Sequence, residues 1–272
     1  MDNRTLLKIF GEARSLIPNQ VERLSVNQDK YENLRTYFKS FTRAIGIEIE
    51  TEGLKKTPET SNYWRWVADG SLRNNGVEFV SSPVASNNID YALAEIEEFC
   101  TRNKAVSSIR TSIHVHVNVG DFTLTQLYGI VGLYALFEPL FFRFQSKFRQ
   151  NNPYCYPLLH LCPKTVDISE NMKYCAFNLG PIPRQVSVEF RHADFSTDWL
   201  KNRRWIQLVC RLMKFAENNR DNLREIVFST VENGSYAELL RSVMKASSFL
   251  IDEPALMAEG APWAVAYIGS HT

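Results

Sequence analysis

The chain has 272 residues, enough to bury a large core, and its 44% hydrophobic and 22% charged composition is ordinary for a globular protein. A net charge of +1 leaves no global basic field and argues against a general nucleic-acid binder. Five widely spaced cysteines, Cys100, Cys155, Cys162, Cys175 and Cys210, include no CxxC, which excludes a finger-like zinc site and suits reduced thiols. The beginning Met1-Asp2-Asn3-Arg4 lacks the apolar core of a signal peptide, so a cytoplasmic protein is expected.

Residues 1–40 are mixed and polar, with helical patches at Leu6–Arg14 and Tyr31–Phe38, and read as an N-terminal helical extension on a main domain over 41–272. Strand character starts at Thr42 and includes Gly46-Ile47-Glu48-Ile49-Glu50. Lys55–Asn62 reads as a surface loop. Trp64, Trp66 and Ala68 then alternate with Arg65 and Val67 ahead of an Asp69-Gly70-Ser71 turn. The strand Val77–Ser81 is stopped by Pro83. From Asn87 to Arg102, Ile89, Leu93, Ile96 and Phe99 or Cys100 have helical spacing. Ile109–Val119 alternates as a strand.

Phe122–Lys147 reads as one long buried helix, opened by the capping box Thr123-x-x-Gln126. Its uninterrupted apolar run, Leu127 to Phe137, is shorter than the ~20 residues of a bilayer span, so no membrane partner is expected. Arg149–Pro163 is an ordered loop, Gln185–His192 a strand and Asp198–Ala216 an amphipathic helix. Two further helices close the chain, the later one opened by Ser235-x-x-Glu238. Strands and helices interleave, which points to an α+β domain with a mainly antiparallel sheet and helices packed on one face.

The chemistry lies in the strands. Alternate side chains of a strand share a face, so Glu48 pairs with Glu50, His114 with His116, and Glu189 with Arg191. Glu78 stands among Val77, Phe79 and Val80. If these strands are neighbours in one sheet, that face suits divalent metal and phosphate and is a poor core. A cupin-type HxH site is the natural competitor, but only Asn118 and Asp121 follow where it wants a glutamate. A Cys155–His160 pair has no evident helix N-terminus to activate the thiol. No P-loop or GxGxxG is present, so a bound nucleotide would be held by metal and arginine.

The order of these motifs resembles the amidoligase family of the carboxylate–amine ligase superfamily, which includes glutamine synthetase and glutamate–cysteine ligase. The likeness covers roughly residues 43–216: ExE on an early strand, a DGS turn before E-F-V-S-S-P, HxH, an R-x-x-N-x-Y-C loop and a late E-F-R strand. The resemblance implies a glutamine-synthetase-like catalytic sheet, ATP, and two or three Mg²⁺ or Mn²⁺ ions. It casts Glu48, Glu50, Glu78, His114 and Glu189 as metal ligands. His116 would lie nearer the nucleotide phosphates, and Arg191 would face the phosphoryl group. Arg149 would hold the substrate carboxylate or the transferred phosphate. Thr111-Ser112-Ile113 stands where many members carry glycine, a departure that would alter loop flexibility. The chain is compact beside glutamine synthetase, so a lid for ATP or amine would be missing or come from another subunit of a homo-oligomer.

The implied reaction is ATP-dependent amide formation through an acyl phosphate, from a carboxylate substrate and an amine co-substrate. Two alternatives stand beside it: a metal-dependent phosphotransferase with the same site chemistry, of the guanidino-kinase-like type found on a related fold, and a non-catalytic binding or scaffold protein that retains the fold.

Overall fold

The computed structural model describes residues 37–59, 61–166, 172–244 and 254–271. Six strands, β1 (Ile45–Thr51), β2 (Trp64–Val67), β3 (Val77–Ser81), β4 (Ser112–Asn118), β5 (Phe177–Asn178) and β6 (Ser187–Asp194), form one sheet in the order β2-β3-β1-β4-β6-β5. Every neighbouring pair is antiparallel, so the mixed α+β architecture expected from the alternation is present. β3 runs over the predicted residues, and the expected strand at Ile109–Val119 is trimmed at both ends.

The alternation gives the sheet two unlike faces. Ile45, Ile47 and Ile49 of β1, Ile113, Val115 and Val117 of β4, and Val188 and Phe190 of β6 all belong to the hydrophobic core. Each such side chain contributes roughly 1.5–3 kcal/mol on leaving water, which pins the register: a one-residue slip would bury the acids and expose the isoleucines. A bulge between Ile113 and Val115 breaks the β4–β6 ladder. There His192 turns into the core while Arg191 lies two residues from Glu189 on the other face.

The helices are α1 (Asn87–Arg102), α2 (Leu124–Arg143), α3 (Lys147–Gln150), α4 (Ile182–Gln185), α5 (Trp199–Asn218), α6 (Leu223–Asn233), α7 (Tyr236–Met244) and α8 (Pro254–Ser270). α5 packs on β4 and β6, and α2 packs against α5, α6 and α8. α1 matches its predicted limits. The capping box of α2 is formed: Gln126 N–H donates to Thr123 Oγ1 (3.3 Å) and Thr123 N–H donates to Gln126 Oε1 (2.9 Å). α2 is long and apolar enough to cross a membrane, but 72% of that stretch is buried inside the protein.

Three expectations need correction. The helix predicted to reach Lys147 ends at Arg143, and Ser146 caps the separate short α3 with a bond to Arg149 N–H (3.2 Å). Among the described residues, the tail beyond α5 holds three helices where two were read. The third, α8, is apolar with Gly260 and an internal Pro262, residues that read as breakers until a partner helix covers them. The helical patches assigned to the N-terminal extension lie outside the described residues, except for Tyr37 and Phe38. These two are not helical; their amide N–H groups donate to the buried Asp90 carboxylate (3.0 and 3.2 Å).

Glu138 is fully buried in α2. Its Oε1 accepts from Leu158 N–H (2.7 Å) and from the Tyr134 hydroxyl, and its Oε2 accepts from Leu159 N–H (2.8 Å). The carboxyl thereby anchors the loop that follows α3. Burial outweighs these three donors and pushes its pKa from 4.5 up to about 7. Between those two pH values the folded state holds more protons than the unfolded chain. Stability therefore falls as pH rises through this window, by on the order of 3 kcal/mol, and levels off above it. Urea unfolding at pH 5 and pH 8 checks this: Glu138→Gln should lose that part of the pH dependence. An unchanged pH dependence in the variant would refute the assignment.

Candidate metal centre

The ladder registers place the acids and imidazoles side by side. Glu48 is opposite His114, Glu50 is opposite Glu78, and Glu189 is opposite both His116 and Asn178. All of these project from the face that the isoleucines leave. Two ligand triads result, Glu48–Glu78–His114 and Glu48–His116–Glu189, each with its donor atoms within 4.8 Å of one another. Glu48 belongs to both.

The distances describe a narrow polar cleft. His114 Nδ1 lies 3.1 Å from Glu48 Oε2 and 3.4 Å from Glu189 Oε1. His116 Nε2 lies 3.3 Å from Glu48 Oε1 and 3.7 Å from Glu189 Oε1, yet makes no hydrogen bond. Arg191 Nη1 donates to Glu189 Oε1, and Asn178 Nδ2 donates to Glu189 Oε2 (2.6 Å).

Each imidazole is held from behind by a serine. Ser112 Oγ donates its one proton to Glu50 Oε2 (2.5 Å), so it accepts from His114 Nε2–H (2.8 Å). His116 Nδ1 meets Ser187 Oγ at 3.2 Å. With those nitrogens occupied, the opposite ring nitrogens point at carboxylate oxygens. At His114 Nδ1 the Arg191 guanidinium, 3.5 Å away, already supplies positive charge, whereas a lone pair at His116 Nε2 would face two carboxylates and is repulsive unless a proton or a cation lies between them. Metal-binding histidines show the same division, one ring nitrogen on the ion and the other on an orienting partner.

The protonation equilibria express the same field. Burial opposes charge on Glu48, but the hydrogen bond from His114 and the imidazole of His116 beside it prevail and hold its carboxyl well below the usual range. Burial also opposes charge on His116, and the Glu48 and Glu189 carboxylates overcome it and raise the imidazole. Glu78 is pushed up to about 8, first by burial and then by the charges of Glu48, Glu50 and Asp69. Crowded acids with two orienting imidazoles are a donor set that a divalent cation relieves, so these residues could hold a metal ion.

Glu50 is the expected ligand that the structure does not bring into either triad; it holds Ser112, which orients His114. Arg149 is buried, with Nε donating to His192 O (3.0 Å) and Nη2 donating to Arg191 O. It therefore fastens α3 to β6 as well as lining the cavity beside Arg191. Cys155 is buried beneath the same strand and its thiol is pushed up to about 11 by burial, which removes it as a nucleophile. Ser112 belongs to β4 and not to a loop, so the departure noted at Thr111-Ser112-Ile113 has an orienting role. Ser112, Ser187 and Asn178 were missed. The period-2 runs Ser112-x-His114-x-His116 and Ser187-x-Glu189-x-Arg191 carried the signal for the two serines, and nothing local did so for Asn178.

Glu52 lies outside the cleft, buried and bound by Arg110 Nε (2.7 Å), Arg110 Nη2 (2.9 Å) and Arg73 N–H (2.7 Å). Its hydrogen bonds to Arg110 hold its carboxyl below the usual range. The pair ties together two turns that wall the cavity.

Comparison of the chain with protein-family models and with curated proteins returns no match.

Proposed function

We propose that the protein is an ATP-dependent carboxylate–amine ligase, of the amidoligase type that its motif order resembles. The observation that carries the reading is the pair of imidazoles, each held by a serine and aimed at Glu48, the one carboxylate shared between the two triads. Divalent ions held by Glu48, Glu78, His114, His116 and Glu189 would neutralise negative charge on the ATP phosphates. The chain's own residues do the rest. Arg191, anchored on Glu189, presents its fork to the transferred phosphoryl group and stabilises charge that grows during transfer. Arg149 holds the loop over the cavity and faces the incoming acid. A substrate carboxylate oxygen attacks the γ-phosphorus and ADP leaves. The amine nitrogen then attacks the acyl carbon, phosphate leaves, and the amine proton passes to solvent or to a nearby carboxylate.

No enzyme nucleophile is required, which agrees with the inert state of Cys155. Hydroxylamine tests the scheme directly, because it traps an acyl phosphate as a hydroxamate. Purified protein with ATP, Mn²⁺ and a panel of carboxylic acids should yield ADP and hydroxamate in equal amounts. ADP with a stable phosphorylated product and no hydroxamate would favour the phosphotransferase, and no turnover with any acid would sink the ligase reading.

Arg191→Lys is expected to lower turnover by roughly 10²–10³-fold with little change in thermal stability, since an ammonium cannot replace a guanidinium fork. Activity within a few-fold of wild type would remove Arg191 from the phosphoryl site.

A further inference from the structure

A cavity of about 480 Å³ adjoins the polar cleft, with Glu50, Ser112, His114 and Arg191 at its inner end. That size lies within the roughly 300–1,000 Å³ range of pockets for drug-sized ligands, well beyond what a small acid fills. Its rim is more telling. Of the seven large apolar side chains that the described residues leave exposed, four surround this opening: Ile109, Phe148, Tyr154 and Tyr174. Phe148 is 68% exposed and Tyr154 60%, although neither is needed to cover the core. Exposed apolar side chains gathered at one opening mark a surface that is covered in use.

Both signs of charge line the cavity, Glu50 and Asp69 standing with Arg110, Arg149, Lys173 and Arg191. Arg149 and Lys173 line the cavity and have no carboxylate partner among the described residues. Tyr154 and Tyr174 meet edge to face at 5.2 Å, which leaves no parallel slot for a flat base. Separate apolar steps leading to the guanidinium groups of Arg149 and Arg191 match an extended chain with alternating side chains and a carboxylate.

We propose that the acid taken at this site is a peptide several residues long, its carboxylate directed to Arg149 and Arg191 and its apolar side chains resting on Ile109, Phe148, Tyr154 and Tyr174. This rests on the reading of the adjoining cleft as a carboxylate-activating centre.

Calorimetric titration of the full chain with three probes tests it: acetyl-Phe-Ala-Leu-Ala-Glu, acetyl-Ser-Ala-Ser-Ala-Glu and acetylglutamate. The first should bind at least about tenfold more tightly than the other two, and than its own fully amidated form. The double variant Tyr154→Ser/Tyr174→Ser should erase the preference for apolar residues while unfolding at the wild-type temperature. Phe148→Ser, at a more exposed position than either tyrosine, should weaken it in part. Equal binding of acetylglutamate, no binding of the first probe, or a preference that survives the tyrosine changes overturns the inference. Failure of the ligase reading has a different signature: the peptide binds with its preference intact and no hydroxamate forms. Hydroxamate from small acids with no peptide preference leaves the ligase standing and removes the peptide cleft.

Discussion

Replacing Glu48 with glutamine should abolish metal binding and turnover together. Glu48 is the one ligand common to both triads, and each of its oxygens faces a different imidazole, Oε2 toward His114 and Oε1 toward His116. The amide keeps the shape and removes the charge, so both triads lose an anion at once. Mn²⁺ affinity, read by calorimetry, should fall by roughly 100-fold or more, because ligands and their orienting partners each carry large factors. Hydroxamate formation should drop below detection. The melting temperature should stay within a few degrees, since Glu48 is only partly buried and no core volume is lost. Wild-type Mn²⁺ affinity in this variant would mean that the cleft is an internal ion-pair network and not a metal centre. Glu50→Gln is the informative contrast: it leaves both triads intact and acts through Ser112, so its loss in affinity should be smaller.

The second large effect concerns folding. Gly260 lies where α8 crosses α2, and a Cβ placed there would sit 2.0 Å from the Ala135 carbonyl oxygen and 3.1 Å from Leu136 Cα. Both are backbone atoms of α2, so no rotamer change can relieve the clash. Gly260→Ala should cost about 3 kcal/mol or more, at the upper end of overpacking effects, even though alanine favours helix. Urea unfolding monitored by circular dichroism measures it. Gly132 offers a control on the same interface: its added Cβ meets the Ile268 side chain at 2.4 Å, and that flexible end can turn aside. Gly132→Ala should therefore be the milder change. Equal tolerance at both positions would show that α8 is free to shift against α2.

These two positions differ in how readable they were. Glu48 was visible because β1 alternates strictly, with isoleucines at 45, 47 and 49 forcing both glutamates onto the other face. The same period-2 logic exposed Glu78, His114, His116, Glu189 and Arg191, and the structure places all of them on that face. Gly260 was invisible. A glycine two residues before a proline in an apolar tail reads as a break in a helix, and only the presence of α2 alongside explains why a side chain is excluded there. Arg149 was readable as a cation at the head of a loop. That two of its nitrogens are committed to β6 carbonyls depends on the bulge in the β4–β6 ladder, which no local pattern announces.

Periodicity and composition thus determined the element types, the two-faced sheet and the list of acids, histidines and arginines on its polar side. They do so because burial of isoleucine, valine and phenylalanine is a local demand, satisfied strand by strand. Tertiary structure alone decided which of those residues meet. The order β3-β1-β4-β6 brought Glu48 between both histidines and left Glu50 behind Ser112, and it set Ser112 and Ser187 to fix the imidazoles. Those relations are non-local: they depend on which strand edges pair and at what register, and that choice is made by the whole core at once.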